Sequence, residues 1–330
     1  MRKPGSPDAS VIIVSHNSCE QLRACLENLQ VAIDGRDIEV VVVDNASDDG
    51  SADMVAREFL QFRLVRSEQN IGFAAANNIG FRRARGRYLI LLNSDASIEG
   101  HALRAAISRM DALPQVGMAG ARLLDVLGRD HSGSLKFPTP IGECLSNSGL
   151  APGFAHKRAS NPSRDARGDM PAAIEIDWVP GAFAIIRRAA LDSVGPFDER
   201  FFLYYGEIDF CRRLKQYGWK VWYWPDIVVR HIGGLELADG ASAGLPAFGS
   251  EMALWRMRSA LLYYRKHHGH FGAWLLARIE TGRHALRRLK SRIAGGPGTI
   301  AEESEQLIRL MRRAWVDTEG GLVSPPQPWR

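Results

Sequence analysis

The sequence predicts an α/β fold: a mostly parallel, Rossmann-like sheet with flanking helices, followed by a helical C-terminal region. In the first hundred residues, short apolar runs of strand length alternate with segments whose apolar residues recur at helical spacing. Such alternation is typical of a parallel sheet that is covered on both faces. Beyond residue 250, helical periodicity continues without a strand-like run.

The N-terminal part is predicted to contain four strands and four helices. The strands are expected at 10–15, 38–43, 62–65 and 88–92, and the helices at 18–32, 51–59, 74–85 and 100–112. In the first helix, for example, apolar side chains recur every three or four residues from Leu22 to Leu29.

The remaining elements are separated by two segments that we interpret as flexible loops, 149–171 and 235–250, because they are rich in small residues and lack periodicity. The predicted elements are a strand at 174–187 broken at Pro180, a helix at 209–217, a strand at 219–224 that Pro225 ends, and helices at 252–290 and 302–316.

Composition restricts the class of protein. The chain has 330 residues, of which 45% are hydrophobic and 24% charged, as expected for a globular protein with a substantial core. A disordered, collagen-like or disulfide-scaffold chain is excluded. The net charge of +5 leaves nucleic acid, anionic membranes and phosphate-bearing substrates open as partners.

Cysteine spacing and hydropathy predict the compartment. The four cysteines form no C-x-x-C or zinc-type pattern, which favours free thiols in a reducing compartment. The first ten residues lack the apolar core of a signal peptide, and no apolar stretch reaches transmembrane length. We therefore expect a cytoplasmic protein, or a peripheral one on the cytosolic face of the inner membrane.

Polar clusters follow three of the predicted strands, at 15–17, 44–47 and 93–95. In parallel sheets, ligands bind beyond the carboxyl ends of the strands, so these clusters predict a site. Asp44 either caps the following helix or binds a nucleoside, and Asp95 is a candidate ligand for a divalent cation on a diphosphate.

The motifs around these clusters resemble those of the family 2 inverting glycosyltransferases of the GT-A fold, in particular their rhamnosyltransferase-like branch. The similar stretches lie in order at 11–26, 41–51, 70–80, 88–98, 177–188 and 194–226, followed by His231. The resemblance spans about residues 10 to 270. It implies a nucleotide-sugar donor, a divalent metal (Mg²⁺ or Mn²⁺) and an acceptor hydroxyl.

The resemblance also implies which residues bind the donor. Asp44 occupies the position of the nucleoside-recognising carboxylate, and residues 70–77 match the segment that closes over the nucleotide. The implied donor-binding residues are Ser15, Asn17, Asp44, Asn45, Ser47, Asn70, Gly72, Phe73, Asn77, Asn93, Ser94, Trp178 and Gly181. Residues 178–183 can alternatively be interpreted as a strand bulge, which is compatible with the same role.

Asp95 and His231 are the implied metal ligands. The metal motif of the family is a D-x-D sequence, whereas this chain has Asn93 at the first position, so Asp95 is expected to be the main ligand. A structural role for His231 is the alternative.

The general base is expected in a second departure from the family pattern. The branch usually has Glu-Asp-x-Asp, and this chain has Gly206, Glu207, Ile208 and Asp209. Glu207 is thereby placed at the base position, with Asp209 as the reserve candidate. Asp209 is alternatively expected to pair with Arg212 or Arg213, three or four residues later on a helix.

The predicted C-terminal helices are basic, with nine Lys and Arg but one acidic residue, Glu280, between 252 and 290. They form either a solvated helix face or a surface that docks on anionic lipid. No nucleic-acid-binding module is recognisable.

The resemblance implies a metal-dependent inverting glycosyltransferase. It would move a sugar, first of all rhamnose from dTDP-rhamnose, to a glycan or polyprenyl-diphosphate-linked acceptor in cell-surface polysaccharide synthesis. A transferase for a UDP- or GDP-sugar and a non-catalytic nucleotide-sugar-binding scaffold are the alternatives, whereas the absence of G-x-G-x-x-G after the first strand disfavours a dehydrogenase.

The predicted domain organisation follows from the same motifs. The catalytic domain is expected at 10–250, with a nucleotide-binding half at about 10–115 and an acceptor half at about 116–250. A basic helical region at 251–318 follows. Residues 1–9 are expected to be a disordered N-terminus and 319–330 a tail, of which 325–330 is expected to be disordered.

Overall fold

A computed structural model describes residues 6–130, 136–140, 142, 173–232, 249–293 and 298–325. The strands are β1 (Ala9–Ser15), β2 (Ile38–Asp44), β3 (Arg63–Arg66), β4 (Tyr88–Leu92), β5 (Ala96–Ile98), β6 (Val116–Leu124), β7 (Ile174–Glu175), β8 (Phe183–Arg187) and β9 (Lys220–His231). The helices are α1 (Cys19–Ala32), α2 (Ser51–Glu58), α3 (Gly72–Arg83), α4 (Gly100–Ala112), α5 (Arg188–Val194), α6 (Gly206–Gln216), α7 (Gly249–Ile293) and α8 (Gly298–Asp317).

These strands form one sheet in the order β3-β2-β1-β4-β8-β6-β9-β5, and β7 pairs with β9. The first four strands are parallel to one another, as the alternation of strands and helices predicts. Strand β8 enters antiparallel between β4 and β6, and β5 and β7 are antiparallel to β9. The sheet is thus parallel in its N-terminal half and mixed as a whole.

Helices cover both faces of the sheet, because successive apolar residues of a strand point to opposite sides. In β1, Val11 and Ile13 pack in a core with residues of α1, α2 and α4. Ile12, between them, packs in a second core that includes residues of α3, α5 and α6. The uninterrupted apolar runs of β1, β2 and β4 follow from this burial on two sides.

The C-terminal helices form a third core with the chain between 201 and 208. Helix α7 is interrupted at Gly269, whose φ of 71° lies in a region that suits glycine. The helix thereby changes direction, and its second part packs along α8. This core connects the helical region to the segment that begins α6.

Two element boundaries near the site differ most from the prediction. Strand β9 does not end at Pro225 but continues to His231, because a register shift against β6 accommodates residues 225–227 as a bulge. Proline is tolerated at bulges, where its missing N–H is not needed. Helix α6 begins at Gly206, so that Glu207 lies in its first turn. Strands β5 and β6 were not predicted.

Parts of both predicted ends are ordered. Strand β1 begins at Ala9, and the amide of Asp8 donates to the carbonyl of Asp37, so that the expectation of disorder over 1–9 is wrong for these residues. Residues 318–322 form a turn after α8, in which the amide of Gly321 donates to the hydroxyl of Thr318. The two predicted flexible loops lie mostly outside the described residues.

Among the helices of the described ranges, none is both long enough and apolar enough to cross a membrane.

Candidate active site

The three predicted polar clusters lie at one edge of the sheet. Ser15 and Asp44 are register partners at the carboxyl ends of β1 and β2, and Asn93 directly follows β4, on the other side of β1. The central position of β1 therefore brings together side chains that are up to 80 residues apart in sequence. This edge is the expected position of a ligand site in such a sheet.

Asp44 has a carboxylate oxygen that is poised for a ligand. Its side chain is buried, and Oδ2 accepts a hydrogen bond from the amide of Ser47 at 3.2 Å. Oδ1 is buried and has no hydrogen-bond partner within the described ranges. A buried acceptor without a donor is costly, by about 1–3 kcal/mol, so a ligand N–H or O–H would fit there. Asp44 thus caps a turn rather than helix α2, whose N-cap is Gly50.

Two buried asparagines order the loop between β3 and α3. Asn45 donates from Nδ2 to Oδ1 of Asn70 at 2.8 Å, and its own Oδ1 accepts from the amide of Ile71 at 2.9 Å. Oδ1 of Asn70 also accepts from the amide of Gly72 at 3.0 Å. These bonds fix the backbone that leads into α3. Contact of either asparagine with a donor nucleotide stays a prediction.

Short polar side chains connect the loops that follow β1, β2 and β4. The amide of Asn17 donates to the hydroxyl of Ser47 at 3.1 Å, and the hydroxyls of Ser15 and Ser18 lie 2.9 Å apart. Ser18 donates in turn to the hydroxyl of Ser94 at 3.0 Å. Ser18 was not predicted as a site residue; its place three residues after Ser15, ahead of α1, was the available signal.

Asn93, Asp95 and His231 form a polar group at the junction of β4, β5 and β9. Nε2 of His231 lies 3.1 Å from Oδ1 of Asp95 and 3.0 Å from Nδ2 of Asn93. The antiparallel pairing of Ala96 with His231 produces this proximity, which depends on the extension of β9 beyond Pro225.

This group fits part of the coordination shell of a divalent cation. In the described part of the chain, no three His, Cys, Asp or Glu side chains converge as a complete metal site. Mg²⁺ and Mn²⁺ are commonly held by one or two carboxylates together with phosphate oxygens. Asp95, with His231 beside it, satisfies the protein's share of such a shell, and the diphosphate of a donor would supply the rest.

Phe73, Gly181 and Glu207 lie close together. A Cβ atom added to Gly181 would lie 3.0 Å from the ring of Phe73 and 3.9 Å from Oε1 of Glu207, so a side chain there would crowd this space. Gly72, with φ of 82°, allows the amide of Phe73 to donate to the carbonyl of Phe202 at 2.6 Å. A side chain at Gly72 would collide with that carbonyl.

Two other predicted donor-binding side chains make contacts within the protein. The indole of Trp178 donates to the carbonyl of Lys136 at 3.1 Å. The side-chain Nδ2 of Asn77 donates to the carbonyl of Phe73 at 2.8 Å, within its own helix. Their roles toward a donor stay predictions. Asn78, the neighbour of Asn77, was not predicted as a site residue. Its Nδ2 donates to the carbonyl of Phe197, and its Oδ1 accepts from the amide of Phe197.

The two carboxylates of α6 lie in different environments, as their spacing of two residues predicts. Burial raises the pKa of the Glu207 carboxyl above its ordinary value. A carboxylate with a raised pKa is a stronger proton acceptor once it is ionised.

Asp209 is engaged in ion pairs with three basic side chains. Oδ2 accepts from Arg213 at 2.9 Å, and Oδ1 lies 2.7 Å from both Lys266 and His267. Burial alone would raise the pKa of Asp209, but hydrogen bonds from His267 and Lys266, together with the charges of Lys266 and Arg213, hold it below its ordinary value. The geometry therefore favours Glu207 over Asp209 as a base. Of the two expected partners, Arg213 forms the ion pair, and Arg212 donates to the hydroxyl of Tyr263.

The backbone immediately before Glu207 is strained. Tyr204 and Tyr205 both have φ of 64°, in the left-handed region that bulky residues avoid. Such conformations cost about 1–3 kcal/mol each and cluster at functional sites. No sequence signal marked this turn.

A mixed sheet of this order, with Asp44 and Asp95 at the carboxyl ends of its parallel strands, agrees with the GT-A fold that the motifs predict. The profile described as "Glycosyl transferase family 2" matches residues 10–195, and the chain belongs to that family. The prediction of a family 2 glycosyltransferase is thus confirmed. The match ends before Glu207.

Two curated relatives are rhamnosyltransferases. The chain is 25% identical over 232 residues to N-acetylglucosaminyl-diphospho-decaprenol L-rhamnosyltransferase of Mycobacterium tuberculosis, covering 67% of this chain and 75% of that protein. It is 24% identical over 261 residues to rhamnosyltransferase WbbL of Escherichia coli, covering 77% of this chain and 91% of that protein. These relatives support the rhamnosyltransferase-like branch that the motifs predict.

A solved structure shows the same fold. The mannosyltransferase PcManGT of Pyrobaculum calidifontis, in complex with GDP-Man and Mn²⁺, aligns with a TM-score of 0.55 at 18% identity. The alignment covers 95% of this chain and 88% of that one. The described C-terminal helices are therefore part of an architecture that matches over nearly the whole chain.

Proposed function

We propose that this glycosyltransferase transfers rhamnose from dTDP-rhamnose to a hydroxyl of a lipid-linked or glycan acceptor, with inversion at the anomeric carbon. The two rhamnosyltransferases among its relatives support the sugar, and the decaprenol-diphosphate acceptor named for one of them supports the lipid-linked class. The product would be a cell-surface polysaccharide precursor, made at the cytosolic face of the inner membrane.

The observation that carries this proposal is the position of Glu207. The side chain of Glu207 is half-buried, and its Oε1 lies beside the space left by Gly181. In the proposed reaction, Glu207 accepts the proton of the acceptor hydroxyl as that oxygen attacks the anomeric carbon. The bond from that carbon to the diphosphate oxygen breaks, and the nucleoside diphosphate leaves.

We propose that the reaction depends on a divalent cation held by Asp95 and His231. When bound, such an ion would neutralise the charge that develops on the departing diphosphate. The amide of Asn93 lies 3.0 Å from Nε2 of His231, the nitrogen that also faces Asp95. The side chain of Asp44 would bind the nucleoside.

Replacement of Asp44 by asparagine tests the nucleotide site and the donor together. The variant keeps an oxygen that can accept from the Ser47 amide but loses the second carboxylate acceptor. We expect affinity for dTDP-rhamnose to fall about 10- to 100-fold, because a hydrogen bond to a charged group contributes about 1.5–3 kcal/mol. Thermal-shift titrations measure this, since a ligand that binds only the folded state raises its stability. Equal stabilisation of the parent by UDP- and GDP-sugars would argue against the thymidine donor.

Replacement of Asp95 by alanine tests the metal site. We expect Mn²⁺ to strengthen binding of dTDP to the parent and to have no effect on binding to this variant. Isothermal titration calorimetry with and without Mn²⁺ measures the difference. Asp53→Ala is the control, because Asp53 pairs with Arg66 at the surface. An unchanged Mn²⁺ dependence in Asp95→Ala would exclude Asp95 as the ligand.

Glu207→Gln tests the base, since glutamine keeps the size of the side chain but accepts no proton. We expect kcat to fall about 10²–10⁴-fold while donor affinity is kept. In the parent, kcat/KM should fall as the pH is lowered through the raised pKa of Glu207, above the range of an ordinary glutamate, and this limb should vanish in the variant. Asp209→Asn keeps an acceptor for His267 and should lose stability rather than most of its turnover. An inactive but folded Asp209→Asn beside an active Glu207→Gln would reverse the assignment.

We further propose that the second part of α7 docks on anionic lipid. Within 270–293, five apolar side chains are exposed, at positions that share one side of the helix: Phe271, Trp274, Leu286, Leu289 and Ile293. Arg278 and Arg292 are exposed beside them, and none of the exposed residues of this segment is acidic. Basic and aromatic side chains on one side are typical of helices that lie in a membrane interface. A surface of this kind would place a lipid-linked acceptor near α6.

A double variant, Phe271→Ser with Trp274→Ser, tests this surface. We expect the parent to bind vesicles that contain anionic lipid and to be released by salt, which screens the charges. The double variant should bind at least about tenfold more weakly, because burial of even one aromatic side chain contributes about 1.5–3 kcal/mol. Sedimentation with vesicles measures the partition. Leu60→Ser, at an exposed leucine of the catalytic domain, is the control. Equal binding to neutral vesicles would contradict the electrostatic component.

A further inference from the structure

One side of the first part of α7 contacts the chain segment 202–209, which carries Glu207. Four of the contacting residues of α7 are Trp255, Ser259, Tyr263 and His267, each four residues after the last, so that they form a single stripe on the helix. We call these four residues the α7 stripe. They lie outside residues 10–195, the part of the chain that the family profile matches. Lys266, beside this stripe, also binds Asp209.

Two contacts of the α7 stripe precede the strained turn. The ring of Trp255 stacks on Phe202 with a centroid distance of 4.2 Å. The hydroxyl of Ser259, which is almost completely buried, donates to the carbonyl of Leu203 at 2.7 Å. The second contact fixes the backbone one residue before Tyr204.

The other two contacts lie within and after the turn. The ring of Tyr263 lies 5.4 Å from that of Tyr205. Nε2 of His267 lies 2.7 Å from Oδ1 of Asp209 and donates a hydrogen bond to this carboxylate. The α7 stripe therefore holds the chain on both sides of Glu207.

Such bracing is needed because the turn is strained. Two consecutive left-handed tyrosines persist only where their surroundings enforce the conformation. If the turn relaxed, Glu207 would move away from Gly181. The carbonyl of Phe202, which accepts from the amide of Phe73, would move as well. Both the base and the aromatic ring that faces it thus depend on the same segment.

We propose that Ser259 and His267 are positioning residues for sugar transfer: they hold the strained turn at 204–205 so that Glu207 points at the acceptor. This inference rests on the proposed function, in which Glu207 is the base. Neither residue touches the space beside Gly181, so each acts through the backbone or through Asp209. The C-terminal helices therefore complete the active site in addition to forming a core of their own.

Two pairs of variants test this role. His267→Phe keeps a ring against Tyr263 but removes the donor to Asp209, whereas His267→Gln restores a donor. Ser259→Ala removes the bond to Leu203. Its matched control is Ser304→Ala, because Ser304 is a buried serine of α8 that donates to the carbonyl of Ile300 at 2.8 Å, away from α6.

We expect kcat to fall about 10- to 100-fold in His267→Phe and Ser259→Ala, the range for a reacting group displaced by about an ångström. The donor KM and the affinity for dTDP should stay within about twofold of the parent, and His267→Gln should recover most of the turnover. Hydrogen exchange at the amides of 203–209 should be faster in the two impaired variants only. Ser304→Ala should keep parental kcat and parental exchange at 203–209, because its hydroxyl bonds a carbonyl of its own helix.

The outcomes separate this inference from the proposed function. An active parent whose kcat is unchanged in Ser259→Ala and His267→Phe would overturn the positioning role alone. A loss of kcat that is equal in Ser304→Ala would also overturn it, because general destabilisation would then suffice. A parent that is inactive with every donor would overturn the proposed function, and exchange at 203–209 that stays unchanged in the variants would then overturn the bracing as well.

Discussion

The contacts of the buried Asp209 carboxylate with basic side chains are the interaction on which the catalytic half depends. A charge with no exposed surface must be compensated, because the removal of one partner leaves an unpaired ion in a medium of low polarity. Arg213 binds it within α6 and also binds the carbonyls of Val194 and Pro196. Lys266 and His267 bind it from α7. One side chain thereby fastens the end of α5, the first turn of α6 and the C-terminal helices to a single point.

At the carboxyl edge of the sheet, hydrogen bonds of polar side chains order the loops of the site. Asn45 and Asn70 use their amides to shape the approach to α3, and Ser18 links hydroxyls across two strand ends. Two carboxylates lie at this edge: Asp44 at the end of β2, and Asp95 just after β4, the two strands that flank β1. A rigid edge with a few acceptors suits a nucleotide whose position must not change during the reaction.

The sequence predicted local features well and distant ones poorly. Apolar periodicity located β1 to β4 and α1 to α4 to within two residues, and the motifs located the carboxyl edge with Asp44 and Asp95. Periodicity is a local property, so it carried no information on β8 entering antiparallel or on β9 passing Pro225. The left-handed tyrosines and the contacts of Ser259 and His267 depend on residues about 60 positions apart. Neither residue type is unusual in a helix, so nothing in the chain marked them.

The pairing of β5 has a consequence for the order in which the protein matures during its synthesis. This strand is translated before residue 100, yet its partner in the sheet is β9, which ends at His231. The ribosome must therefore add more than a hundred residues before the Asp95 loop gains its neighbour. The helix that braces Glu207 is translated later still. The edge with Asp44 can therefore form on the nascent chain long before the turn that carries Glu207 is complete. A chain that terminated before α7 would have most of the sheet but would lack the contacts of the α7 stripe with that turn.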